Sequence, residues 1–233
     1  MDMAVDSFII AILQIIAIDI ILGGDNAIVI AMACRNLPEH QKRAGILWGT
    51  AGAILLRIIL VFFATSLMGI PSLRLIGGIL LVWIGIKLLI ENDEPDLEGK
   101  IAKKTRLIDA VRTIVVADFV MSLDNALAIT AAAKGNMSLV IFGVALSVPI
   151  IIAGSAIILR MMDRFPVIIS FGAGLLGWLG GGLISSDVII ADFVDDLTSS
   201  KPFIIELLTG IFVVLAGNYW KFRTRSEPRT GKS

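Results

Sequence analysis

The chain has one cysteine, Cys34, and one histidine, His40. A lone cysteine excludes an intrachain disulfide and offers no metal-site pattern of its own. His40 falls in a polar stretch beside Lys42 and Arg43, where a solvated loop residue is expected. No nucleophile–base pair and no cofactor motif is present, so the chain does not read as an enzyme. An excess of either charge is missing too: 20 Lys and Arg balance 20 Asp and Glu. Net charge therefore points to no partner, and nothing suggests nucleic acid.

What the chain has in quantity is apolar sequence, 57% of all residues, with a mean hydropathy of +0.91. A soluble domain would show shorter apolar runs broken by polar faces. Here the runs last about 20 residues, enough to cross a hydrocarbon core ~30 Å thick. Only helices or closed barrels satisfy the backbone in lipid, and runs without strict alternation select helices. The expected fold is an all-α polytopic membrane protein, one transmembrane domain over 1–233. Seven spans are expected, at 8–33, 44–68, 73–91, 107–133, 137–159, 165–186 and 202–221. The first ends in AMAC and resembles a signal peptide. Its leader MDMAVDS is acidic, however, and Asp19 and Asp25 interrupt its core, whereas a removable signal needs a positive start and a clean core.

Basic residues orient the spans. Seven spans put Arg35, Lys42, Arg43, Lys100, Lys103, Lys104, Arg106, Arg160, Arg164, Lys221, Arg223, Arg225, Arg229 and Lys232 on one side. The other side receives Arg74, Lys134 and Lys201. This predicts an outer N-terminus and an inner C-terminus. Residues 92–106 read as a solvated cytoplasmic linker between two three-span halves, 8–91 and 107–186, with a seventh helix after them. The basic tail from Lys221 is accounted for by anionic lipid head groups.

Each half opens on the same costly motif: DIILGGDNA from Asp19 and DFVMSLDNA from Asp118. The first span runs inward and the fourth outward, so the halves are expected to be inverted repeats with a site between them at midplane. On an ideal helix Asp19 and Asn26 share a face, about 700° apart, while Asp25 stands roughly 120° from Asp19. Convergence of all three needs local unwinding, which Gly23-Gly24 permits most easily; Ser122-Leu123 at the equivalent place predicts a more regular helix. Carboxylates at the bilayer centre cost roughly 2.5–3.5 kcal/mol each unless paired or hydrated. A cation between the repeats resolves the repulsion. Its ligands would be carboxylate and amide oxygens, hard donors suited to Mn²⁺, Ca²⁺ or Mg²⁺ rather than to zinc or copper. The competing reading is a helix-packing hydrogen bond, or neutralisation of Arg57 in the second span by one carboxylate.

GGDNAIVIA after Asp19 and SLDNALAI after Asp118 resemble the paired Asp-Asn motifs of the TerC family of bacterial integral membrane proteins, most closely its short, YjbE-type members. The likeness extends over nearly the whole chain, including the charged central loop. The family is similar in design to inverted-repeat cation exporters of the LysE superfamily. The resemblance implies manganese efflux from the bacterial inner membrane. It also implies that Asp19, Asp25, Asn26, Asp118, Asp124 and Asn125 bind the metal. Some members are associated with tellurite resistance, which does not identify a substrate. The function expected is a divalent metal transporter working by alternating access, with protons a plausible coupling ion. A cation channel, or a non-transporting component of a stress or tellurite-resistance assembly, is the alternative.

FGAGLLGWLGGG, from Phe171, has the glycine spacing of a dinucleotide site, but that fingerprint needs a strand before it. Inside a span the glycines instead predict close helix packing. SSDVIIADFVDDL places Asp187, Asp192, Asp195 and Asp196 in what reads as a solvated outer loop, or else an acidic vestibule that Glu206 extends. Pro149 is expected to kink the fifth span. Lys87 and Arg112 are expected to snorkel to the interface.

Overall fold

Backbone polar groups in lipid must be satisfied within their own segment, and these apolar runs fold accordingly. The structure, a computed structural model, describes residues 5–67, 70–90, 100–133, 136–191 and 203–226. Those residues form seven long helices and no strand: α1 (Val5–Cys34), α2 (Glu39–Leu67), α3 (Leu73–Ile90), α4 (Lys100–Ala132), α5 (Met137–Arg164), α6 (Val167–Ser185) and α7 (Phe203–Ser226).

Five of them, α2, α3, α5, α6 and α7, hold a segment long and apolar enough to cross a membrane. A sixth appears if the straight pieces of α1, Ile12–Ile21 and Gly23–Cys34, are one span; they meet at an angle of 51°. The bend sits where the Gly23-Gly24 pair was expected to loosen the helix. Large apolar side chains such as Trp48, Phe62, Trp83, Phe142, Phe171, Phe212 and Leu215 stand on the outside, as lipid contact requires.

Several helices outrun their hydrophobic stretches. α2 starts at Glu39 and α4 at Lys100, so the second part of the expected linker is helical. The sequence IAKKTRLIDAVR contains no glycine or proline to stop a helix, and outside lipid nothing requires the helix to end with the apolar run. His40, expected in a loop, consequently lies exposed in the first turn of α2, beside a Lys42–Glu39 ion pair of 2.6 Å. Asn136 caps α5, its side chain accepting from the Ser138 amide at 3.1 Å. Pro149 falls inside α5, which continues past the expected end to Arg164.

The packing sets α1 against α5 and α2 against α4, with α1 also meeting α4 and α2 meeting α5. α3 packs on α6, and α7 lies against α6 and α3. Glycines make these approaches close. A Cβ on Gly180 would come 2.7 Å from the Gly78 carbonyl oxygen, and one on Gly78 would come 2.5 Å from that of Gly180. The three glycines of the apparent nucleotide fingerprint each face a different neighbour: Gly172 meets Ile28 and Met32, Gly174 meets Val214, and Gly177 meets Thr209 and Val213. They are packing glycines, Gly172 toward α1 and Gly174 and Gly177 toward α7.

Candidate cation site

The two acidic motifs meet in the centre of the four-helix group α1, α2, α4 and α5. Asp19 of α1 and Asp118 of α4 are buried at 2% and 4% exposure. Between them stands Arg57 of α2, itself 2% exposed. Its Nη1 donates to Asp19 Oδ1 and its Nη2 to Asp118 Oδ1. Its Nε donates to Ser122 Oγ at 3.0 Å, and that hydroxyl donates in turn to Asp118 Oδ2 at 3.2 Å. Ser147 of α5 donates to Asp19 Oδ2.

One guanidinium presents five donors in a fixed fork, which is how a single side chain serves two carboxylates and a hydroxyl. The competing sequence reading gave Arg57 one neutralising carboxylate; it has two. With both carboxylates ionised, two of them against one guanidinium leave the cluster one negative charge in excess. Ser147 had no sequence signal beyond being one of three serines in an apolar span. It meets Asp19 from α5 as Arg57 meets Asp118 from α2.

Gly23 provides the room. A Cβ there would lie 3.1 Å from Asn26 Nδ2 and 3.4 Å from Arg57 Nη1. Asn26 is 4% exposed, and neither its Oδ1 nor its Nδ2 has a hydrogen-bond partner among the described residues. Leaving such a group unpaired costs about 1–3 kcal/mol, so an amide in this position is poised to accept something more.

Asp25 and Asn125 belong to a different space. They line a cavity of about 440 Å³ with Ile21, Leu81, Met121, Trp178, Gly182 and Glu206, contributed by α1, α3, α4, α6 and α7. At ~30 Å³ per water the volume has room for roughly fifteen waters, ample for a hydrated ion. Glu206, expected to extend an outer vestibule, faces this cavity, and Gly182 makes space for it: a Cβ on Gly182 would be 3.4 Å from the Glu206 Oε1.

Of the six residues anticipated as ligands, Asp19 and Asp118 are therefore joined through Arg57, Asn26 is buried close to that ion cluster, and Asp25 and Asn125 line the cavity. The side chain of Asp124 lies outside the described residues. Among the described residues no group of three or more His, Cys, Asp and Glu stands together as a metal site would require. The acids form a buried ion cluster and a neighbouring acidic cavity.

The acidic segment from Asp187, expected as a solvated outer loop, differs from that expectation at its first member. Asp187 is only 2% exposed. Its Oδ2 accepts the Leu75 amide and its Oδ1 the Ile189 amide, both at 3.0 Å. Leu75 is in the first turn of α3, whose leading N–H groups lack partners within the helix, so Asp187 caps α3 from a distant part of the chain. Arg74 adds a bond to the Ser186 carbonyl at 3.2 Å. Asp192, Asp195 and Asp196 lie outside the described residues.

The model of the TerC family, described as integral membrane proteins, matches residues 5–227. The uncharacterised membrane protein YjbE of Bacillus subtilis is 42% identical over 214 residues, 92% of this chain and 96% of its own length. The UPF0053 inner membrane protein YgdQ of Escherichia coli K12 is 24% identical over 183 residues, covering 72% of this chain and 76% of its own. YkoY of B. subtilis, also an uncharacterised membrane protein, shares 24% over 185 residues, 72% of this chain and 57% of its own. No solved structure matches.

Proposed function

Because the chain belongs to the TerC family of integral membrane proteins, we propose that it exports a divalent metal cation, Mn²⁺, across the bacterial inner membrane by alternating access. The observation that carries this reading is the meeting of the two duplicated motifs. Asp19 and Asp118 come from the same position of the two motifs, yet they end on opposite sides of one guanidinium. Four carboxylates repeated at matching depth, two of them brought together, exceed what a helix-packing hydrogen bond requires.

The packing is compatible with a repeat of α1–α3 in α4–α6, and the distribution of basic residues is what supports inversion, seven spans and an outer N-terminus. Exchanging the halves turns the α1–α5 contact into the α4–α2 contact. It leaves the α1–α4, α2–α5 and α3–α6 contacts as they are. α7 stands outside this relation, and brings Glu206 to the cavity. Transporters built from such repeats bind substrate near midplane and expose the site by rocking one repeat against the other.

In the proposed cycle Asp19, Asp25, Asn26, Asp118, Asp124 and Asn125 furnish oxygen donors. These are hard ligands, compatible with Mn²⁺ and also with Ca²⁺ or Mg²⁺. The cavity beside Asp25 and Asn125 admits the ion in hydrated form. After release, the carboxylates are free to take up protons, which makes proton exchange the natural coupling. A channel using the same acids would need a continuous path, and Arg57 fills the gap between Asp19 and Asp118.

Uptake of Mn²⁺, Ca²⁺, Mg²⁺ and Zn²⁺ into inverted vesicles tests the reading. Saturable Mn²⁺ accumulation is expected, abolished in Asp19→Asn and Asp118→Asn. Equal flux in wild type and both variants would refute the site. A preference for Zn²⁺ would refute the hard-donor argument, and flux only down the gradient would favour a channel.

A further inference from the structure

Resting on that reading, we propose that Arg57 is a tethered competitor of the transported cation and the residue that makes the site demand a divalent ion. The carboxylate oxygens that a metal would take are those the guanidinium now holds, Asp19 Oδ1 and Asp118 Oδ1. A metal and a guanidinium between the same two acids repel each other strongly at the low effective dielectric of a buried site. One must leave for the other to enter.

Charge decides which ions succeed. Two carboxylates with Arg57 carry one net negative charge; with a divalent cation in its place they are neutral. A monovalent ion merely repeats the charge of the guanidinium, while losing a fork of directed, charge-assisted hydrogen bonds. Na⁺ and K⁺ therefore have nothing to offset the exchange, and a divalent ion does. The competitor also acts on the return step: Asp19 and Asp118 regain a counter-cation without any ion from solution, which leaves proton uptake to the other acids of the motifs, Asp25 and Asp124.

The structure provides a place for the displaced group. The position a Cβ of Gly23 would take is bordered by Asn26 Nδ2 at 3.1 Å and Arg57 Nη1 at 3.4 Å, so the missing side chain is what lets the guanidinium and the amide stand next to each other. Asn26 is buried and has no partner for its Oδ1 among the described residues. A guanidinium displaced toward Asn26 gains an acceptor once the amide turns its Oδ1 to it, and neither amide atom has a partner among the described residues to lose in that turn. Only one such competitor is needed, because α5 brings Ser147 rather than a second cation to Asp19.

The test is titration of the purified full-length protein with MnCl₂, without added salt, with excess NaCl, and with choline chloride at equal ionic strength. Wild type is expected to bind Mn²⁺ equally in NaCl and choline chloride. Arg57→Gln is expected to bind at least ~10-fold more tightly and to be weakened by NaCl more than by choline chloride. Folded Arg57→Gln with equal or weaker affinity and no Na⁺ competition would overturn the proposal. If Arg57→Gln does not survive purification, Arg57→Lys is read instead. An ammonium is a point charge without the bidentate fork, so smaller shifts in the same two directions are expected, and their absence overturns the proposal equally. Asp19→Asn separates this from the parent reading. Weakened binding there with no tightening in the Arg57 variants overturns the competitor alone; unchanged binding there overturns the transport site and the competitor with it.

Discussion

Removing the cation from the central cluster should be far more damaging than removing either anion. Arg57→Gln leaves Asp19 and Asp118 buried and facing each other without a counter-charge, and uncompensated buried charges cost about 3–5 kcal/mol. Asp118→Asn keeps Arg57 paired one-to-one with Asp19 and retains an amide oxygen that can still accept from Nη2. Its loss is the charge-assisted part of one hydrogen bond, about 1 kcal/mol. For a chain of this length each kcal/mol corresponds to about 2–4 °C in midpoint. Thermal unfolding of the detergent-purified proteins, at one scan rate, should therefore place Arg57→Gln roughly 6–20 °C below wild type and Asp118→Asn only a few degrees below. The triple variant Arg57→Gln, Asp19→Asn, Asp118→Asn has no net charge in the cluster and should recover most of the loss. Adding MnCl₂ should raise the midpoint of Arg57→Gln more than that of wild type, because a ligand that binds only the folded form stabilises it. If Arg57→Gln melts no lower than Asp118→Asn, the two aspartates do not depend on Arg57 and the electrostatic argument fails.

Asp187→Ala removes both amide contacts, to Leu75 and Ile189, and should destabilise by about 2–3 kcal/mol on the scale of bonds to a charged acceptor. Asp187→Asn keeps one acceptor oxygen and should lose about half as much; an Asn variant worse than Ala in the same melting assay would contradict the capping role. On α6, Gly180→Ala puts a methyl 2.7 Å from the Gly78 carbonyl oxygen and should cost about 1–3 kcal/mol through overpacking. Gly24→Ala meets nothing within 4 Å and should be neutral or stabilising by up to about 1 kcal/mol from helix propensity. Equal melting of these two variants would show that close α3–α6 packing is not what Gly180 serves.

The helical class, the family and the two motifs were all legible in the sequence, because each rests on local or nearly local information. Apolar runs of membrane-spanning length impose helices through the need to satisfy the backbone, whatever the tertiary arrangement. A repeated Asp-x5-Asp-Asn pattern is visible wherever its helices end up. Helix ends were legible less well: hydrophobicity marks where lipid stops, whereas α2 and α4 begin earlier, at Glu39 and Lys100, since charged residues remain good helix formers in water. The aspartate at position 187 could be read as acidic and outside; its partner Leu75 lies in another helix, and no spacing rule links the two.

The sequence alone determined that an Asp-x5-Asp-Asn motif is duplicated in an all-helical membrane protein. Tertiary structure alone decided how those acids are divided. Asp19 and Asp118 share Arg57, Asp25 and Asn125 face a cavity with Glu206, and Asn26 is left beside the guanidinium with its amide unpaired. The reason is physical. A charge in a low-dielectric interior takes the nearest compensating group in space, and that group was Arg57 of α2, which reaches the two acids because α2 packs on both α4 and α1.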